Sequence, residues 1–242
     1  MKIAIIADIH ANHAALEAVL NDVSQRNIDE IISLGDNIGY GPDPQQVVTT
    51  LQDAKIVSIL GNHEYGLQSE LYLKRLNPDP QKSLILNRDL LSPAGLSYCQ
   101  ALQPLLFRHG ARFVHGCPPK SYTAYLYRPR QHKLERLYHG FTEQLCFFGH
   151  THAPTIFKGA ERIREVELYK GSFQLEPKFR YIINPGSVGQ PRDNVNNRAK
   201  YLIWDPQEGT LVFRAIAYNV AATVEKLRRL GFPDFNAERL LL

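Results

Sequence analysis

Seven residues combine metal-binding side chains with a placement that suits that use: Asp8, His10, Asp36, Asn62, His115, His150 and His152. They fall at five places where an apolar, strand-like run gives way to a polar cluster beside a glycine or another small residue. A side chain there is released from the sheet and can turn toward a ligand. Asp8 and His10 are two residues apart, as are His150 and His152, so on an extended segment each pair shares a face and can act as a pincer. Asp36, Asn62 and His115 add single donors, and a carboxylate such as Asp36 can bridge two cations by giving one oxygen to each. Seven donors suit two metal ions better than one. Nitrogen and oxygen without sulfur point to Mn, Fe, Zn, Co or Ni and away from Cu(I) or an iron–sulfur cluster. Cys117, close to His115 in sequence, is not expected to join the set.

Two cations roughly 3.5–4 Å apart lower the pKa of a water between them and hold the nonbridging oxygens during in-line displacement at phosphorus. The expected chemistry is therefore phosphoester hydrolysis by direct attack of that activated water. His63 follows Asn62 directly and is expected at the rim of the site, protonating the leaving oxygen or stabilising the transition state. Asn12, Asn37 and Arg192 are candidates for binding substrate phosphate. Tyr122, Tyr125 and Tyr127 recur ahead of Arg128 and Arg130, a pattern that reads better as an amphipathic edge strand than as a surface for stacking a base. His13, His109, His132 and His139 are read as ordinary structural or surface histidines.

The elements that must position these residues follow from periodicity. Lys2–Ala7 reads as a buried strand running into Asp8, and Leu16, Val19, Leu20 and Val23 recur at helical spacing in a helix opening near Asn12. Glu30–Leu34 is a second strand, followed by an Asp43 N-cap with Pro44 at the first helical position. Lys55–Leu60 is a third strand. Such a β-α-β-α-β series brings strand C-termini to one edge, where open α/β sheets place their sites. From Tyr65 to about Gln103 the pattern breaks into helix-like pieces at Asn77-Pro78 and Ser92-Pro93, which suggests a cap-like insertion. Leu105–Arg108 and Arg112–His115 form a hairpin through His109-Gly110, and Leu145–Phe148 and Arg180–Ile183 are strands running into loops. Lys200–Asp205 and Thr210–Ala217 flank a turn at 206–209, and Val220–Leu230 is a helix stopped by Gly231.

With 242 residues, 44% apolar and 21% charged, the chain can bury a full core, and we expect one α/β domain over residues 1–242. A net charge of +4 without a dense basic run does not indicate nucleic acid and suits a small anionic substrate, possibly a nucleotide. Cys99, Cys117 and Cys146 form no CxxC pair, which argues for a reducing compartment. The apolar run before Asp8 is too short for a signal-peptide core and no stretch approaches membrane-spanning length, so the cytoplasm is the expected location and no membrane is expected as a partner.

The ordered set Asp8-x-His10, Gly35-Asp36, Gly61-Asn62-His63-Glu64, His115-Gly116 and Gly149-His150-x-His152 resembles the calcineurin-like metallophosphoesterases, and Asn184–Asp193 is similar to a stretch of their small bacterial and archaeal members. The resemblance implies a four-layer αββα sandwich of two mixed β-sheets flanked by helices. It implies Asp8, His10, Asp36 and His152 around one metal and Asp36, Asn62, His115 and His150 around the other, with Asp36 as the bridge. Relatives acting as protein phosphatases or symmetrical dinucleoside polyphosphate hydrolases carry Asp-Arg-Gly after the second motif. Here Asp36 is followed by Asn37-Ile38-Gly39-Tyr40, which weakens both assignments. The substrate expected is a small phosphomonoester, phosphodiester or nucleotide. The rival reading is a metal- or nucleotide-binding regulatory module without catalysis; a protein phosphatase ranks below it.

Overall fold

The apolar run at the N-terminus becomes β1 (Ile3–Ile6), with all four side chains buried. The computed structural model describes residues 1–160, 162–166 and 171–241. Helix α1 (His13–Ser24) starts where expected, its N-cap Asn12 accepting a hydrogen bond from Ala15 N. β2 (Glu30–Ser33) precedes α2 (Pro44–Asp53), which begins on Pro44. Asp43 makes no side-chain cap there and pairs instead with Lys226. β3 is only Val57–Ser58, shorter than the expected 55–60, because beyond Ser58 the chain leaves β2 and bridges Ile59 to Gln103.

The segment read as helical pieces is α3 (Asn62–Gln68), α4 (Glu70–Leu73), α5 (Pro78–Leu90) and α6 (Pro93–Ala101). Both prolines that broke the pattern stand at the first helical turn, where the missing N–H costs nothing. These helices enclose a core of Ile38, Val48, Leu73, Leu84, Leu91 and Cys99. The hairpin is β4 (Leu105–Arg108) and β5 (Ala111–Val114), turning through His109 and Gly110 at φ 52° and 75°.

Residues 121–130 form no strand, contrary to the edge-strand reading of the tyrosines. Ser121 Oγ accepts from Thr123 N and Ala124 N, while Gly116 N and Cys117 N bond to Ser121 O and Ala124 O. Those bonds fold the segment back on the end of β5 instead of along a sheet edge. There follow α7 (Gln131–His139), β6 (Leu145–Phe147), β7 (Thr155–Gly159), β8 (Ile163–Val166), β9 (Ser172–Gln174), β10 (Arg180–Asn184), β11 (Ala199–Asp205), β12 (Thr210–Ile216), α8 (Val220–Arg229) and α9 (Asp234–Leu240). The periodicity did not reveal α7, α9 or β7 to β9.

Two six-stranded mixed sheets result, ordered β3-β2-β1-β11-β12-β9 and β4-β5-β6-β10-β7-β8. Each holds three adjacent parallel strands, β1–β3 in one and β5, β6 and β10 in the other. Alternation along β1 explains the stacking: Ile3 and Ile5 join Phe113, Phe147, Leu202 and Trp204 between the sheets. Ala4 and Ile6 face Leu16 and Val19 of α1 and Val47 and Leu51 of α2. On the far side Val114, Cys146 and Ile182 meet Leu134 and Tyr138 of α7. Helix, sheet, sheet and helix are thus the layers, as the resemblance implied. Among the described residues no helix is long and apolar enough to cross a membrane.

Candidate metal centre

The C-terminal ends of the parallel strands of both sheets open on one place. β1 delivers Asp8 and His10, β2 delivers Asp36, β5 delivers His115 and β6 delivers His150 and His152, while Asn62 opens α3 just after β3. Backbone pairing continues past the strands, with Asp8 N to Gly35 O at 3.1 Å, His10 N to Asp36 O at 2.9 Å and Gly149 N to His115 O at 2.8 Å. The two-apart pairs do meet in one cluster, but not as extended segments. Asp8, His10, Asp36, His150 and His152 all have left-handed backbone, with φ of 53°, 49°, 53°, 69° and 60°. A non-glycine residue held there is strained, and such strain collects at functional sites. The sharp turns lie at the candidate ligands themselves and, beside Asp36, also at Gly35 with φ of 88°. Gly61 is extended at φ −97° and is needed for space, since a Cβ would stand 2.2 Å from Asp36 N.

All seven side chains are buried, none more than 4% exposed. Each histidine of the set gives one ring nitrogen to a backbone carbonyl: His10 Nδ1 to Ile38 O (3.0 Å), His115 Nδ1 to Leu34 O (2.8 Å), His152 Nδ1 to Gln190 O (2.7 Å) and His150 Nε2 to Thr123 O (3.2 Å). A carbonyl only accepts, so those nitrogens carry protons, and in the neutral rings of His10, His150 and His152 the other nitrogen presents a lone pair. The consequence is unusual. His10 Nε2 and His152 Nε2 face each other at 3.0 Å, lone pair to lone pair. His115 Nε2 meets His150 Nδ1 at 3.1 Å, Asn62 Oδ1 at 3.1 Å and Asp36 Oδ2 at 3.2 Å.

Apart from His63 N on Asp36, His150 N on Asp8 and the His115 ring, the cluster is made of acceptors, and acceptors crowded this closely repel one another unless a cation sits among them. Asp8, His10, Asp36 and His152 bring donor atoms within 4.8 Å of one another, and so do Asp36, His115 and His150. Asp36 belongs to both groups, and the donor chemistry fits transition metals. Carbonyl-anchored imidazoles of this kind are how proteins orient metal-binding histidines.

The electrostatics carry the same message. Burial pushes His10 and His152 well below the usual imidazole range and His150 down to about 3, aided by neighbouring positive charge. Burial also opposes charge on His115, but Asp36 and Asp8 override it and raise that ring to about 9. Burial raises the Asp8 carboxyl to about 7, with His115 opposing and Asp36 adding to the rise. Asp36 overcomes its burial through the His115 and His63 charges and lies well below the carboxylate range. A bound cation would supply the positive charge for which these carboxylates and imidazoles compete.

Supporting residues hold the loops. Glu64, fully buried, accepts from Asp36 N (3.1 Å), Asn37 N (2.7 Å), Gly61 N (3.0 Å) and Asn37 Nδ2 (3.1 Å), tying the second motif to the third. Asn184 donates to Gly149 O (2.8 Å) and Thr151 Oγ1 (2.9 Å) and accepts from Gly186 N (2.8 Å). Sequence reasoning gave Glu64 no role, although it stands in the quoted Gly61–Glu64 motif. It also missed Tyr40, whose ring packs 4.7 Å from His10 and 4.8 Å from His63, and Tyr125, stacked 3.6 Å from His150. Their pattern on the page was indistinguishable from ordinary aromatic use.

His63 lies beside the cluster, its Nε2 3.9 Å from Asp36 Oδ2 and its buried Nδ1 without a partner. Asn12 and Asn37 lie near the candidate ligands, but their amides have structural work. Asn12 caps α1 and donates to Gly189 O and Tyr218 Oη. Asn37 accepts from Ser33 Oγ and donates to Ser58 Oγ and Glu64. Arg192 reaches the site rim over the Tyr40 ring, its Cζ 5.4 Å from the centroid. Of the remaining histidines, His13 bonds Thr50 and His109 pairs with Glu30.

Residues 1–209 match the Calcineurin-like phosphoesterase superfamily domain. The chain is 33% identical over 245 aligned residues to an uncharacterized protein of Methanocaldococcus jannaschii, covering 99% of this chain and 97% of the other. A metallophosphoesterase of known structure from Sphaerobacter thermophilus is 34% identical, covers 100% of this chain and 98% of its own, and superposes with a TM-score of 0.87. A hypothetical protein of Pyrococcus horikoshii OT3, 17% identical, shares the fold at a TM-score of 0.81 over 99% of this chain and 97% of its own. Motifs, sheet order and the clustered donors thus meet in one conclusion: the chain belongs to the calcineurin-like phosphoesterase superfamily.

Proposed function

We propose that this protein is a hydrolase of a small phosphomonoester, phosphodiester or nucleotide, using two transition metals from among Mn, Fe, Zn, Co and Ni. The observation that carries the reading is the close crowd of carboxylate, amide and imidazole acceptors, in which Asp36 belongs to both candidate groups. Asp8, His10, Asp36 and His152 would hold one ion and Asp36, Asn62, His115 and His150 the other. When bound, such a pair supplies an activated water and neutralises charge at phosphorus. The chain's own part is to fix the imidazoles through backbone carbonyls, exclude bulk water by burial and place His63 beside the cluster, its Nε2 3.9 Å from Asp36 Oδ2, where that nitrogen can assist the leaving oxygen.

Substrate would enter beside Tyr125 and Arg192, since both border the cluster. We assign residues 1–242 to one domain, with helices α3 to α6 as its cap; Asn87 of α5 supports this by accepting from Gly39 N and donating to Gly41 O. A cytoplasmic location agrees with three unpaired cysteines.

Elemental analysis of the purified protein, with hydrolysis of aryl phosphomonoester and bis-aryl phosphodiester after chelation and metal add-back, tests the reading. About two metals per chain, with activity restored by add-back and lost in Asp36→Asn and His150→Ala, is expected. Turnover indifferent to chelation and to both substitutions would overturn it.

A further inference from the structure

Arg192 is a cation that the fold leaves without a counter-ion. Its backbone N bonds His152 O at 3.2 Å, so it rides on the same loop as a candidate ligand. Its guanidinium lies over Tyr40, whose ring packs on His10 and His63. Nη2 donates to the neutral amide oxygen of Gln190 at 2.6 Å, and Nε is buried with no partner. Among the described residues no carboxylate lies within 4.0 Å of it.

The nearest carboxylate in sequence, Asp193, is committed elsewhere. It meets Lys200 Nζ at 2.9 Å, with both side chains 1% exposed, and Lys200 also donates to Asn196 O. A buried lysine thus keeps Asp193 away from its neighbour and leaves the Arg192 charge unneutralised. That charge is felt by Asp8, His10, His63 and His152. A half-buried guanidinium with an idle N–H is a fork waiting for an anion's oxygens.

We propose that Arg192 is a specificity-determining residue that recognises the second negative charge of a phosphomonoester, so that the site favours monoesters over diesters. The inference rests on the phosphoesterase reading above. A diester offers one charge and two non-ester oxygens at phosphorus; a monoester offers two charges and three such oxygens. An unpaired guanidinium beside the ligand cluster gives the additional oxygen a charge-assisted partner, and a diester carries a bulky substituent there instead.

The test compares wild type, Arg192→Gln and Arg192→Lys as metal-loaded proteins. Inorganic phosphate affinity is read by titration calorimetry, and kcat/KM is read on an aryl phosphomonoester and a bis-aryl phosphodiester. In Arg192→Gln, phosphate affinity and monoester kcat/KM should fall about 10- to 100-fold, the diester should fall much less, and lysine should restore part of the loss. Equal losses on both esters, or unchanged phosphate affinity, would overturn the proposal while leaving the hydrolase reading intact. Phosphate binding that depends on Arg192 in a protein that hydrolyses neither ester would uphold the dianion recognition and remove the hydrolase reading.

Discussion

Replacing Asn184 tests how the end of β10 holds the loop that carries His150 and His152. The side chain is fully buried and its three hydrogen bonds run to Gly149 O, Thr151 Oγ1 and Gly186 N. In Asn184→Ala the Gly186 N–H loses its partner, the Gly149 carbonyl keeps only its bond from Thr151 N, and the half-buried Thr151 hydroxyl can turn to water. At about 1–3 kcal/mol for the orphaned N–H and about 0.5–1.5 kcal/mol for the lost bond to Gly149 O, the loss is about 2–4 kcal/mol. For a chain of this length, about 2–4 °C per kcal/mol places a 4 kcal/mol loss at about 8–16 °C in Tm.

Asn184→Asp has nearly the same volume, so no cavity confuses the result. It keeps the acceptor for Gly186 N and replaces the donor by a second acceptor facing Gly149 O. At pH 8 it should be destabilised at least as much as the alanine variant. Protonation restores an O–H donor to Gly149 O, so the introduced carboxyl has a raised pKa when folded. Its deficit against wild type therefore shrinks as pH falls from 8 to 5 and grows as pH rises. Thermal unfolding by circular dichroism, in chelator so that bound cations do not shift Tm, measures both. Wild-type stability for Asn184→Asp at pH 8, or a deficit indifferent to pH, would refute the reasoning.

Asp22 accepts from Arg26, Arg214 and Tyr201, and these partners overcome partial burial to hold its carboxyl far below the usual range. Because the folded pKa is depressed, the stabilisation is complete above pH ~4 and is lost as pH falls further, so Asp22→Asn should cost about 1–3 kcal/mol at pH 7 and progressively less below pH ~4, read by urea unfolding across pH. Lys200→Met leaves Asp193 as a buried, uncompensated charge and should cost about 3–5 kcal/mol; a stability equal to wild type would show that the pair is dispensable. Tyr125→Ala uncovers the His150 ring, so a chelator should strip metal on the order of ten-fold faster, and an unchanged stripping rate would show that Tyr125 does not guard the centre.

The identity of the donors was legible in the sequence because strand ends advertise themselves. Apolar runs stop abruptly at Asp8, Asp36, Asn62, His115 and His150, and parallel β-α-β topology leaves such ends on one edge. Helix starts at Asn12 and Pro44 were equally readable, since capping and proline chemistry act within a few residues, whereas Pro78 and Pro93 read only as breaks and proved to open α5 and α6. What depended on contacts distant in sequence was not. The left-handed backbone of the candidate ligands is held by loops distant in sequence that bond to one another, such as Asp8 to Gly35 and Gly189. Tyr125 reads as one of three closely spaced tyrosines until bonds at Ser121 fold its segment onto His150. Residue types and local spacing determined which side chains are candidates to hold a metal. Only the packing of two sheets decided which lone pairs face one another and which cation, Arg192, stands beside them unpaired, because those facts arise from residues brought together from opposite ends of the chain.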